Sequence, residues 1–170
     1  MAASIDLERL YDQNAPALFG FLLNLTRREA DVRDLLQEVF VKLARHPEWF
    51  SAVRDERAFL LRLAHNQAID LLRRRQTRER NYEQFAAESA SIFASGVQPD
   101  EQSYRDALSD ALAELPPEQR TVVHLKLWEG LTFEAIADLL EIPLNTAASR
   151  YRYGLDKLRA RLRPLYDEIN

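Results

Sequence analysis

The chain has 170 residues, a formal net charge of -4, three histidines, four glycines and no cysteine. A disulfide frame, a thiolate metal site and a Gly-rich phosphate loop are thereby excluded, and His46, His65 and His124 lack metal-ligand spacing, so no cofactor is expected. The apolar stretch from Ala15 to Leu25 is too short to span a bilayer and is interrupted by Asn24, so the expectation is a protein of the reducing cytoplasm without stable membrane insertion.

Apolar residues recur at helical intervals nearly throughout. Leu7, Leu10, Tyr11, Leu18, Phe21, Leu22 and Leu25 predict a first helix that Pro16 kinks or divides. A second runs from about Ala30 to Arg45 on the stripe Leu35, Leu36, Val39, Phe40 and Leu43, with Pro47 beyond its end. A third, from about Arg54 to Arg80, buries Phe59, Leu60, Leu63 and Ala64. These helices can cover one another's apolar faces, which makes residues 1–80 the first domain. Ser89, Ser91, Ser95, Gly96, Pro99 and Asp100 are loop formers, and residues 81–103 read as a flexible linker, partly helical at its start. As a coil it spans roughly 26 Å. Residues 104–170 form the second domain. It holds a short helix from Tyr104 to Leu115, a helix opened by Pro116 and Pro117 and capped near Gly130, and a helix with Thr132 as N-cap. After the tight connection from Glu141 to Leu144, Asn145 reads as the N-cap of a last helix with Ala147, Tyr151, Leu155, Leu158 and Leu162 facing inward. The fold class is all-α, with two small helical domains, the second a helix-turn-helix.

Charge is distributed unevenly. From Arg57 to Arg80 seven basic residues oppose Asp70 and Glu79, and from Asn145 to Arg163 six oppose Asp156. Between them, Asn81 to Gln119 holds eight acidic residues against Arg105. Two basic segments around an acidic one predict two separate contacts with a polyanion and a connector that reduces non-specific binding.

Three groups of side chains can carry function. On the last helix Thr146, Ala148, Ser149, Arg152 and Tyr153 point outward near the N-terminal end, with Arg150 at the border; that end of a recognition helix reaches base edges. The same residues also fit a solvated amphipathic helix. Asn66 and Asp70 lie four apart on one face, ahead of Arg73, Arg74, Arg75 and Arg78, an arrangement suited to unstacked bases and their phosphates. An ordinary basic helix end accounts for the spacing equally well. Asp34, Gln37 and Glu38 form a compact polar patch opposite an apolar stripe and suit docking to a basic partner, although from spacing alone a solvated face is the default. His65 is expected at the surface. Neither a carboxylate cluster nor a nucleophile with its base is present, so the chain reads as a non-enzyme.

The order of these segments resembles the extracytoplasmic-function group of bacterial sigma factors over almost the whole chain. Asp34-Leu35-Leu36-Gln37-Glu38-Val39-Phe40 is similar to the core of sigma region two. The resemblance implies that Asp34, Gln37 and Glu38 dock on the clamp coiled coil of the largest subunit of core RNA polymerase. Phe59-Leu60, Ala64-His65-Asn66 and Ala68-Ile69-Asp70 with Arg73 resemble the segment that melts and reads the minus-ten element, which implies an extruded base at Asn66 and Asp70. Leu115 to Arg120 and Leu131 to Ala137 resemble the opening of region four, and Ile142 to Arg150 its minus-thirty-five helix, with the polymerase flap as a further implied partner. Promoter DNA and sequestration by an anti-sigma factor are implied likewise. Val32, Arg33, Glu141, Ala148 and Tyr153 depart from the pattern; Glu141 stands where a turn glycine is common, so a strained left-handed residue is expected there. The alternative is a stand-alone helix-turn-helix regulator whose N-terminal domain senses a ligand or dimerises.

Overall fold

A computed structural model describes residues 4–79 and 99–169. In chain order the elements are α1 (Leu7–Thr26), α2 (Glu29–Arg45), a 3-10 turn (Pro47–Phe50), α3 (Glu56–Glu79), α4 (Pro99–Glu114), α5 (Pro117–Leu127), α6 (Phe133–Leu140) and α7 (Leu144–Ile169). They form two compact units, α1 to α3 and α4 to α7. Among the described residues there is no strand.

In the first unit the predicted stripes close on one another. Leu10, Leu18, Phe21, Leu22 and Leu25 of α1, Val32, Leu35, Leu36, Val39 and Leu43 of α2, and Leu60, Leu61, Ala64 and Ala68 of α3 are all buried. Each fully buried Leu or Phe contributes about 1.5–3 kcal/mol. α1 starts where the Asp6 carboxylate accepts the Arg9 N–H at 2.9 Å and ends on Arg27 in the left-handed region at φ 62. It runs unbroken through Pro16, so of the kink or division expected there the helix is not divided. Buried side chains on both sides of the proline, Leu10, Ala15, Leu18 and Phe21, hold both halves to one core and override the lost backbone bond. Asp55 caps α3 by accepting the Ala58 N–H at 3.0 Å. Arg9 grips Glu56 in the first turn of α3 with two hydrogen bonds, 2.9 and 3.0 Å, and holds that carboxyl below the usual range.

The second unit packs Ala111, Leu112, Leu115, Val123 and Leu158 together, with Leu108, Tyr151, Leu155 and Leu162 around them. Arg120 of α5 is buried and points its guanidinium at the end of α4, donating to the carbonyls of Ala113 at 3.2 Å and Leu115 at 2.8 Å. A cation there meets the negative end of the α4 dipole. Thr132 caps α6 as expected, accepting the Ala135 N–H at 3.1 Å. At the other end Ile142 N–H returns to Ala137 at 3.0 Å and Glu141 N–H to Asp138 at 3.4 Å, a Schellman turn with Glu141 left-handed at φ 56. The strain expected at Glu141 is therefore present.

Two boundaries differ from expectation. α4 begins at Pro99, not at Tyr104, so the last residues assigned to the linker are helical; Pro99 is followed by Asp100 and Glu101, a proline-then-acid start that favours a helix N-terminus. Residues 81–98 of the linker lie outside the described residues. α7 begins at Leu144, with the Pro143 carbonyl accepting from Thr146 and Ala147 at 3.0 and 3.1 Å, so Asn145 sits in the first turn instead of capping it.

Candidate functional site

Asp34, Gln37 and Glu38 are exposed on α2, and Glu38 pairs with Lys42 one turn on at 3.6 Å. Gln37 also lines an apolar groove with Tyr11, Phe19, Leu36, Phe40 and Val41. Tyr11 and Val41 are 45% and 39% exposed there, and the Tyr11 ring stands edge-on to Phe40 at 5.1 Å. Sequence reasoning assigned Tyr11 to a buried stripe and passed over Val41. The signal is present in the sequence: Val32 continues the Leu35, Leu36, Val39, Phe40 and Leu43 stripe by one turn, whereas Val41 is a bulky apolar residue of α2 off it.

On α3, Asn66 and Asp70 are both exposed, as are Arg73, Arg74 and Arg78. Arg75 is placed differently. Its guanidinium meets the Asp31 carboxylate of α2 at 2.5 Å, with the two side chains only 25% and 15% exposed. His65 is half-buried, not on the surface as expected. Burial pushes its imidazole pKa down, a hydrogen bond with the Asn66 side chain opposes the change, and the Arg73 charge adds to it. The buried face of the helix therefore points at α1 and α2, and its exposed face carries an amide, a carboxylate and three exposed guanidinium groups in succession. Such a face can hydrogen-bond base edges and hold phosphates.

On α7, Arg152 and Tyr153 are exposed, with the guanidinium 5.2 Å from the centre of the Tyr153 ring. Thr146, Ala148, Ser149 and Arg150 are half-buried, because α6 packs along the first turns of α7. The Tyr151 ring meets Phe133 of α6 edge-on at 5.4 Å and fixes that crossing. Gly154 sets the other crossing: a Cβ there would lie 2.7 Å from Val123 Cγ2 of α5, so only glycine permits this approach. These contacts leave the outer half of α7 facing solvent with its positive side chains. Among the described residues no group of His, Asp and Glu is placed to hold a metal ion, and no helix is long and apolar enough to cross a membrane.

Comparison with known proteins follows the same division. Residues 10–78 match the family Sigma-70 region 2, and residues 105–158 match Sigma-70, region 4. The ECF RNA polymerase sigma factor SigL of Mycobacterium tuberculosis is 34% identical over 163 residues, covering 94% of this chain and 90% of the relative. RNA polymerase sigma factor CarQ of Myxococcus xanthus is 32% identical, covering 95% and 92%. The sigma factor RpoE of Bartonella quintana, solved in complex with the anti-sigma factor NepR, has the same fold with a TM-score of 0.78 at 22% identity, over 93% of this chain and 97% of that one. A stand-alone regulator with an unrelated N-terminal sensing domain does not fit, since the first unit itself matches a sigma region. With both regions present in order and relatives above 30% identity along almost its whole length, the chain belongs to the ECF group of RNA polymerase sigma factors.

Proposed function

We propose that the first unit docks on core RNA polymerase through Asp34, Gln37 and Glu38, with the apolar shelf of Tyr11 and Val41 beside them. In the same unit Asn66 and Asp70 read an unpaired base of the opened promoter, and Arg73, Arg74 and Arg78 hold its phosphates. Arg75 serves chiefly to hold α3 on α2. In the second unit Arg152 and Tyr153, with Thr146, Ala148, Ser149 and Arg150 behind them, face the upstream duplex. The chain performs no chemistry of its own and works in the cytoplasm, where its polymerase is. Since a structural neighbour is bound to an anti-sigma factor, a protein of that kind is the proposed inhibitor here.

The observation that carries this reading is the succession on α3: Asn66, Asp70, Arg73, Arg74 and Arg78 are exposed on a helix that buries Leu60, Leu61, Ala64, Gln67 and Ala68 on its other side. A helix that only filled a core has no use for that order. Reconstitution with core polymerase tests it. The complex is expected to initiate at discrete promoters, and Asn66→Ala is expected to lower the yield of open complex without lowering core affinity. Failure of the purified chain to bind core at low salt would refute the reading.

A further inference from the structure

The two surfaces proposed for the first unit lie on different helices, and a buried amide joins them. Gln67 follows Asn66 on α3 and is 7% exposed. A buried amide has to find partners, and both lie on α2. With the amide oriented to complement its neighbours, Nε2 donates to Glu38 Oε1 at 3.3 Å and Oε1 accepts from Lys42 Nζ. Glu38 and Lys42 are themselves paired through the same Oε1, and their side chains are 50% and 40% exposed. Further along, Arg75 and Asp31 make the second polar contact between the two helices. Asp31 and Glu38, seven residues apart, fall on one face of α2.

A solvated helix face does not account for this arrangement. An exposed Glu–Lys pair one turn apart contributes little and is loosely held in water. Here an amide from another helix enters the pair, so ordering Glu38 and Lys42 and placing Gln67 become one event. Consecutive residues project about 100° apart around a helix axis, given 3.6 residues per turn. Fixing the inward side chain at 67 therefore fixes the direction in which its neighbour Asn66 faces outward.

We infer that Gln67 is a positioning residue that couples the polymerase-facing surface of α2 to the base-reading surface of α3 through Glu38 and Lys42. This rests on the function proposed above. A partner engaging Glu38 changes the charge presented to the Gln67 amide, and with it the rotation in which α3 offers Asn66 and Asp70. By linkage, DNA held on α3 changes the affinity of α2 for that partner by the same factor. The carrier is a hydrogen-bonded chain of three side chains, not proximity alone.

The test uses the full chain, purified core polymerase and a labelled single-stranded oligonucleotide. The oligonucleotide is the non-template strand of a promoter that the reconstituted enzyme transcribes. Its affinity for the free chain and for the complex gives a coupling factor. Gln67→Met keeps the length of the side chain and removes the amide; Lys42→Met removes a partner of Gln67 from the exposed side and leaves the core untouched. Each is expected to reduce the coupling factor about fivefold or more while core affinity and melting temperature hold. Unchanged coupling in both variants overturns the inference. So does a parallel loss of core binding, oligonucleotide binding and thermal stability, which marks a purely structural side chain. Asn66→Ala separates the two levels. If it weakens oligonucleotide binding while coupling survives in the Gln67 and Lys42 variants, the inference alone fails; if it has no effect, the reading of α3 fails and the inference with it.

Discussion

Acidification is expected to loosen the second unit through His124. This imidazole is buried in α5, and burial pushes its pKa down to about 4. Above the unfolded value of about 6.5 both states are neutral and His124 adds no pH dependence. Below it the unfolded chain takes up a proton that the folded unit refuses, so stability falls as pH falls, and the loss levels off below the folded value. Between pH 7 and pH 5 the loss amounts to about 2 kcal/mol. In a unit of this size that lowers the melting temperature by about 10 °C. Trp128 reports it directly, since its ring stacks on His124 with centroids 5.4 Å apart. The chain has two tryptophans, so Trp49→Phe leaves Trp128 as the sole tryptophan, excited selectively at the red edge of its absorption. Urea unfolding followed by its emission at pH 7 and pH 5, with and without His124→Gln, isolates the effect, because the two proteins differ only at that side chain. An acid-induced loss of the same size in the His124→Gln protein would refute the reasoning.

Gly154→Ala should destabilise the second unit by about 1–3 kcal/mol in the same assay, since the new methyl drives α7 off Val123. Glu141→Gly should stabilise it by about 1 kcal/mol by relieving the left-handed residue in the α6 turn, read as a shift in urea midpoint at constant slope. Arg152→Ala should cost roughly 1–3 kcal/mol in upstream-element binding if the guanidinium contacts a base; unchanged promoter preference would remove it from the reading surface. Arg74→Gln should lower the salt slope of single-strand binding by about 0.7, while Arg75→Gln should leave the slope alone and lower the melting temperature of the first unit.

The helices and their pairing were legible because apolar spacing is local information: the stripes of α2 and α7 fell as read. What escaped were features whose partner lies far away in sequence. Arg73, Arg74 and Arg75 look alike in the chain, and only the fold brings Asp31 to the third of them. Gln67, between Asn66 and Ala68, shows nothing until Glu38 and Lys42 arrive from α2. Pro99 reads as a loop former in the chain, although proline also opens helices, and the acids after it are the cue for the second role. His65, beside an exposed Asn66, was placed at the surface, yet one step around the helix turns it toward the packed side. The candidate surfaces themselves were legible as residue types. Their exposure, and the separation of Arg75 from its neighbours, needed the tertiary structure.

The grip of Arg120 on the end of α4 sets how the molecule can be divided. A fragment beginning at Pro117 would keep the helix-turn-helix but deprive a buried guanidinium of the Ala113 and Leu115 carbonyls, and it would leave the Val123 and Leu158 faces wet. The smallest portable form of the second unit therefore includes α4. Swapping promoter specificity between relatives by grafting should succeed at junctions ahead of Pro99 and fail at Pro116.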